Sequence, residues 1–141
     1  MTEIGSSRTL RNLKSALERE ATNLRRYRWF ARVAEIEGHG NAARALRELQ
    51  EAIEGHADGT LDLLTAVGDP TTGLPLGSTS HNLYAAVTAE QDATKRLYQD
   101  MAEIAEREGF LQIAGWFLTL VRSKEAHAKR LKSLLATHDD T

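Results

Sequence analysis

The sequence predicts an all-α protein, a four-helix bundle built from two repeated helical hairpins. Apolar residues recur in alternating steps of three and four along four long segments, as they do on one face of an α-helix. The one stretch rich in Pro, Gly and Ser, residues 68–80, divides these segments into two pairs. The second pair repeats the polar and apolar pattern of the first, which indicates two copies of one hairpin.

The composition limits the function classes. A chain of 141 residues is long enough for one domain, 1–141, with a sizeable core. Its net charge is −2 with acids and bases interspersed, so no nucleic-acid partner is expected. No long apolar run and no basic leader is present, which predicts a cytoplasmic protein with no membrane contact. Without cysteine, any metal must be bound by carboxylate and imidazole.

The first predicted hairpin joins a helix at about residues 9–37 to a helix at about 41–66. Gly38 is a natural stop between them, and the short connection predicts an antiparallel pair. The apolar face of the first helix carries Leu13, Leu17, Glu20, Leu24, Tyr27, Ala31 and Ala34. That of the second carries Ala42, Leu46, Leu49, Ile53, His56 and Leu63.

The second predicted hairpin joins helices at about 80–108 and 110–136. Thr79 or Ser80 is the expected N-cap, and Gly109 ends the third helix. The apolar face of the third helix carries Leu83, Val87, Glu90, Thr94, Leu97, Met101 and Ile104. That of the fourth carries Ile113, Phe117, Leu120, Lys124, His127, Leu131 and Leu134. The linker, 68–80, is long enough to cross the bundle.

The two halves align with one change of register. Glu20 matches Glu90 at an offset of 70 residues, whereas His56 matches His127 at an offset of 71. One residue is therefore inserted after Glu90, and a single insertion inside a helix is often absorbed as a π-bulge. The alternative is that the alignment is loose.

Four ionisable residues occupy positions where a bundle would place Leu or Ala: Glu20, His56, Glu90 and His127. Such groups are rarely buried unless they are paired or bind metal. One on each helix predicts a polar site in the bundle core.

Several segments resemble the rubrerythrin branch of the ferritin-like proteins, and the resemblance covers nearly the whole chain. They are NLKSALEREATNLRRYRWFA, EGHADG, VGDPTTGLPLG, EGFLQIAGWFLTL and EAHAKRL. The resemblance implies a homodimeric four-helix bundle with a diiron centre that reduces peroxide. Two helices of such a site each give a Glu, and the other two each give a Glu-x-x-His. A rubredoxin domain would need four cysteines, which are absent.

Carried over by position, the resemblance makes Glu20 and Glu90 carboxylate ligands and His56 and His127 imidazole ligands. It places Tyr27 and Tyr98 beside them.

Three ligand positions depart from the family pattern. The Glu of each Glu-x-x-His is replaced, by Ile53 and by Lys124, and a further family Glu is replaced by Ala93. The neighbours Glu54, Glu125 and Asp92 each lie one residue away, about 100° around the helix, unless a local bulge turns them inward.

These departures leave several alternatives for the site. A complete diiron centre is disfavoured because Lys124 would place a cation beside the metals. The favoured alternative is a metal-free core in which Lys124 pairs with Glu20 and Glu90. A single Fe, Mn or Zn on the four ligands would need Lys124 to move or be neutral, and a carbamate of Lys124 would recreate a bridging carboxylate. A metal-independent enzyme would use Lys124 as base or Schiff-base nucleophile, with Tyr27 and Tyr98 nearby.

Two tryptophans lie outside this site. Trp29 is off the apolar face of its helix, which suggests an interface or a surface accident. Trp116, like Phe117, is expected in the core.

Overall fold

The computed structural model describes residues 4–5 and 7–138, and of Lys95 only the backbone. The described residues form helices and no strands: α1 (Arg8–Ile36), α2 (Gly40–Thr65), α3 (Thr79–Asp92), a π-helical segment (Ala93–Leu97), α4 (Tyr98–Arg107) and α5 (Leu111–Thr137). None of these helices is long and apolar enough to cross a membrane. The chain divides into two compact units, Met1–Pro70 and Thr71–Thr141, called here the first and the second hairpin.

The first hairpin packs α1 against α2. Ser7 caps α1, since its hydroxyl oxygen accepts a hydrogen bond from the Leu10 backbone N–H at 3.1 Å. The helix ends at Ile36, and Gly38 just beyond it has a φ of +80°, in the left-handed region that glycine adopts without a steric penalty. Small side chains on the two helices, among them Ala31 and Ala43, are buried, with relative exposures of 1% and 3%. The predicted stop at Gly38 is confirmed.

The second hairpin packs α3 and α4 against α5. Ser78 caps α3 by accepting a hydrogen bond from the His81 backbone N–H at 3.0 Å, so the expected cap at Thr79 or Ser80 is wrong. The reason is that the helix already begins at Thr79. After α4, Gly109 has a φ of +87° and lies at the stop that the sequence predicted. The two hairpins therefore turn in the same way.

The π-helical segment at Ala93–Leu97 confirms the inserted residue after Glu90. A π-turn holds one residue more than an α-turn, so the extra residue does not rotate the later turns of the helix. Ala102 and Ala105 are accordingly buried, 71 residues after the buried Ala31 and Ala34. The repeat seen in the sequence is thus a repeat in packing.

Trp116 contradicts the expectation that it lies in the core, because it is 60% exposed. Helix α5 packs through Ala114, Val121 and Ala128, which are buried at a spacing of seven residues. Trp116 lies two residues after Ala114, about 200° around the helix. Small residues make the close helix contact, and the large ring points away from it.

Candidate functional site

The first hairpin brings two of the four predicted site residues together. Glu20 on α1 and His56 on α2 face each other, with His56 Nδ1 at 3.6 Å from Glu20 Oε2. The Glu20 side chain is 26% exposed and the His56 side chain 64%. Ile53, one turn before His56, is half-buried and adds no charge. This half therefore holds one carboxylate and one imidazole.

The second hairpin brings the other two together and adds a cation. Glu90 lies in the last turn of α3, directly before the π-helical segment, while Lys124 and His127 lie one turn apart on α5. Lys124 Nζ is 3.2 Å from Glu90 Oε1, and His127 Nδ1 is 3.3 Å from Glu90 Oε2. Each carboxylate oxygen thus has a partner of its own. The predicted pairing of Lys124 with Glu90 is confirmed, and its pairing with Glu20 stays a prediction.

Partial burial strengthens the contact between Lys124 and Glu90. The Glu90 side chain is 19% exposed and that of Lys124 is 29%, so water screens the pair less than it screens a pair on the open surface. With His127 neutral, the three groups carry no net charge.

Ser123 Oγ lies 3.4 Å from the other imidazole nitrogen, Nε2, and helps to fix the ring. Sequence analysis missed Ser123, although its spacing of four residues from His127 was the available signal.

Glu54, Glu125 and Asp92 each lie one residue away from a family ligand position, and their carboxylates are on the outer side of their helices. Glu54 Oε2 is 4.0 Å from Arg28 Nη2, and both side chains are about half exposed. Glu125 lies in a shallow surface groove with Lys129 and Lys132. Asp92 is exposed. These carboxylates occupy outer positions of their helices.

The two tyrosines pack on phenylalanine rings. Tyr27 lies 5.9 Å from Phe30, and Tyr98 stacks on Phe117 with 6.4 Å between ring centroids. Both are half-buried. A catalytic role for Tyr27, Tyr98 or Lys124 stays a prediction.

One ion pair outside these clusters, between Glu35 and Arg47, shifts the pKa values of both side chains. The Arg47 guanidinium donates a hydrogen bond to Glu35 and lowers the pKa of that carboxyl below its ordinary 4.5. The same hydrogen bond raises the pKa of Arg47. The pair joins α2 to α1 on the exposed surface and lies outside the predicted site.

The residues of the second hairpin do not fit a dinuclear iron centre. Such a centre needs bridging carboxylates to offset the repulsion between two cations. Lys124 stands where the resemblance places a bridging Glu, and its ammonium group is already hydrogen-bonded to Glu90, which the resemblance makes a metal ligand. Within residues 4–5 and 7–138, no group of three or more His, Cys, Asp or Glu side chains is arranged to hold a metal ion.

Helical hairpins in which Glu faces His are a feature of ferritin-like bundles. The Rubrerythrin family model matches residues 81–141. Rubrerythrin of Porphyromonas gingivalis is 34% identical over 97% of this chain and 70% of its own length. Rubrerythrin-1 of Clostridium acetobutylicum is 28% identical, over 96% of this chain and 73% of its own length. The chain belongs to the rubrerythrin family, whose domain is a ferritin-like helical bundle.

A third relative has a similar identity and coverage. The putative rubrerythrin of Methanocaldococcus jannaschii is 28% identical over 94% of this chain and 71% of its own length. The resemblance seen in the sequence is confirmed. The assignment of Glu20, His56, Glu90 and His127 as ligands stays a prediction.

Proposed function

We propose that this chain is a rubrerythrin-family protein with a degenerate diiron site, in which ion pairs replace the metals. It would serve as a metal-poor binding or structural protein. The observation that carries this proposal is the contact of Lys124 Nζ with Glu90 Oε1 at 3.2 Å. An ammonium group there offsets the charge of the carboxylate, as a metal ion would.

The replacement of two family glutamates by Lys124 and Ile53 explains why metal affinity would fall. Lysine in place of the family's glutamate alters the local charge by two units, from −1 to +1. Isoleucine at position 53 removes a further negative charge from the other Glu-x-x-His. Two ions of like charge at close range repel each other by several kcal/mol even at an effective dielectric of about 20. A divalent ion beside Lys124 would therefore have to displace or deprotonate the amine.

A second candidate function is a non-haem oxidoreductase with one Fe, Mn or Zn. The persistence of a carboxylate–imidazole pair in each hairpin, at 3.6 Å and 3.3 Å, favours this candidate. Imidazole and carboxylate together suit all three metals. The two proposals differ in metal content, which makes them separable.

The test is elemental analysis of protein purified from cells supplied with iron and manganese. Rubrerythrin of Porphyromonas gingivalis, prepared in parallel, controls for iron supply. We expect less than one iron per chain and peroxide turnover at background with an added electron donor. One metal per chain that is lost in His56→Ala or His127→Ala would favour the second candidate. Two irons with the absorption of an oxo-bridged diferric centre would overturn the proposal.

We also propose that the chain is a homodimer. The second hairpin exposes large apolar side chains near one end, with Phe110 at 56%, Ile113 at 51% and Trp116 at 60%. Contiguous apolar surface of this kind is typical of protein interfaces. Sedimentation should show a dimer that Trp116→Ser together with Ile113→Ser weakens. A monomer at all concentrations would contradict this.

A further inference from the structure

Helix α1 carries a concentration of positive charge that the proposed function does not use. It holds eight Arg or Lys residues against three Glu, a net charge of +5, although the whole chain is at −2. Seven of the eight bases are Arg. The arginine fork binds carboxylates and phosphates through two parallel hydrogen bonds, so the composition favours an anionic partner.

An exposed strip on α1 combines this charge with apolar surface. Arg25, Trp29, Arg32 and Ile36 follow at steps of four, three and four, which places them on one side of the helix. Trp29 is 55% exposed and Ile36 is 78% exposed. Trp29 lies two residues before the buried Ala31, about 200° around the helix, so the strip faces away from α2.

The two arginines beside Trp29 are available to a partner. In the part of the chain that the structure describes, neither the Arg25 nor the Arg32 side chain takes part in an ion pair or hydrogen bond. Neighbouring arginines are engaged: Arg26 lies 5.3 Å from the Phe30 ring centroid, and Arg28 lies 4.0 Å from Glu54. Unpaired guanidinium groups beside an exposed indole ring are features of protein-binding hot spots.

Charge restricts what can bind to the strip. Helix α2 carries two Arg and five acidic residues, a net charge of −3, and packs against α1 in the same hairpin. Because the strip faces away from α2, a partner that covers only α1 meets the positive charge of α1 and not the carboxylates of α2. A second copy of α1 would be repelled by its own charge of +5. From Arg25 to Ile36 the strip is about 16 Å long, the length of three helical turns.

We propose that the strip of Arg25, Trp29, Arg32 and Ile36 is a docking surface for an acidic partner protein. The partner presents a helix with carboxylates on both sides of an apolar side chain. The carboxylates pair with Arg25 and Arg32, and the apolar side chain covers Trp29. This inference goes beyond the proposed function and does not depend on the state of the metal site.

The test follows Trp29 fluorescence in a Trp116→Phe background, which leaves one tryptophan in the chain. The probe is a synthetic acidic amphipathic helical peptide, with polyglutamate as a probe of charge alone. We expect the peptide to shift the emission of Trp29 and to bind more weakly as salt is raised. Polyglutamate should bind about tenfold more weakly, because it lacks the apolar side chain.

Two matched variants locate the contact. Arg25→Glu with Arg32→Glu should weaken peptide binding about tenfold or more, since it reverses both partner charges. Lys129→Glu with Arg130→Glu makes the same charge change on exposed positions of α5 and should leave binding unchanged. Circular dichroism tests whether both variants are folded. Because Trp29→Gln removes the fluorescent probe, calorimetry measures peptide binding to that variant.

Several outcomes would overturn the proposal. They are no binding of the peptide, equal loss of binding in the α1 and α5 variants, or no effect of Trp29→Gln. Tighter binding of duplex DNA or of phosphatidylglycerol vesicles than of the peptide would assign the strip to those partners. A shift from dimer to monomer in Trp29→Gln would assign it to a second copy of this chain.

Discussion

Apart from the π-helical segment of the second hairpin, the two hairpins share a backbone plan, and their paired sites differ in the charge of the position one turn before the histidine. Gly38 and Gly109 end corresponding helices with positive φ, and a carboxylate meets an imidazole in each hairpin. One turn before the histidine, however, the first hairpin has Ile53 and the second has Lys124. Glu20 therefore has an imidazole as its partner, whereas Glu90 has an imidazole and an ammonium group.

This difference shows that helix packing and site chemistry are separable. The small buried residues that set the distance between helices, such as Ala43 and Ala114, are the same in both hairpins. The burial of these alanines does not depend on whether the position one turn before the histidine is neutral, as Ile53 is, or charged, as Lys124 is. The helices of this bundle can therefore keep their contacts whatever the charge of the position one turn before the histidine.

The largest expected effect is a gain of metal binding in Lys124→Glu. The variant would place a second carboxylate beside Glu90 and His127, giving three ligands within one hairpin, with water completing a zinc site. Without metal the crowded carboxylates should destabilise the protein. Zinc or manganese at 100 times the dissociation constant should then restore about 2.7 kcal/mol. Calorimetric melting with and without metal measures both effects.

Ile53→Glu makes the matching change in the first hairpin. It adds a carboxylate to Glu20 and His56 but removes no cation, so the local charge changes by one unit rather than two. Because both variants end with two carboxylates and one imidazole, we expect similar metal affinities but a smaller gain over the parent in Ile53→Glu. An equal gain in the two variants would contradict the view that the ammonium group of Lys124 excludes metal.

The next effect is the loss of stability in Lys124→Met. The change leaves Glu90 with His127 alone and should cost about 1–3 kcal/mol, the range for a buried polar group that loses its partner. A fully buried pair would cost about 3–5 kcal/mol, but the Glu90 side chain keeps 19% exposure, so water solvates part of its charge. Urea unfolding at neutral pH in metal-free buffer gives the value.

Two controls accompany Lys124→Met. Lys129→Met, on an exposed position of the same helix, should change stability by less than about 0.5 kcal/mol. Ile53→Met, at the corresponding position of the first hairpin, conserves volume and should cost less than about 1.5 kcal/mol. If Lys124→Met unfolds at the same urea concentration as the parent, its contact with Glu90 adds no stability.

A smaller effect is expected from deleting Arg96 in the π-helical segment. The deletion removes the extra residue and should leave one continuous α-helix in the register of α1, at a cost of about 1 kcal/mol. Deleting the corresponding Arg25 from α1, which has no π-turn to lose, would rotate Ala31 and Ala34 by about 100° out of their contact. Thermal melts followed by circular dichroism compare the two, and equal destabilisation would show that the π-turn does not absorb the extra residue.

The sequence predicted most of the fold because the information lies in local spacing. Apolar periodicity and two glycines located the helices and their ends, and a change of offset from 70 to 71 located the π-helical segment. The pairing of Lys124 with Glu90 followed from their positions on facing helices. Trp116 was misplaced because periodicity does not show which of two adjacent apolar residues faces a helix that packs through alanine.

The exposed pairs could not be predicted for a different reason. Arg47 and Glu35 lie 12 residues apart on different helices, and many other pairs of exposed charges in this chain have similar spacing. Only the relative rotation of α1 and α2 brings these two into contact. Likewise, the sequence placed Trp29 off the apolar face of its helix, as an interface residue or a surface accident, but did not show that the Arg25 and Arg32 side chains are unpaired.

The smallest effect is the dependence of the Glu35–Arg47 contact on pH. The hydrogen bond from Arg47 lowers the pKa of Glu35 in the folded protein, so its stabilisation is fully present above the unfolded value of about 4.5. It is lost as pH falls through the folded pKa. The free energies of unfolding of the parent and of Glu35→Gln should therefore differ at neutral pH and converge in acid. Since both side chains are exposed, added salt should reduce the difference. In the second hairpin Leu118 stands where the first has Arg47, which makes Glu106→Gln the matched control. A difference between parent and Glu35→Gln that does not change with pH would show that the arginine contact does not act through the charge of Glu35.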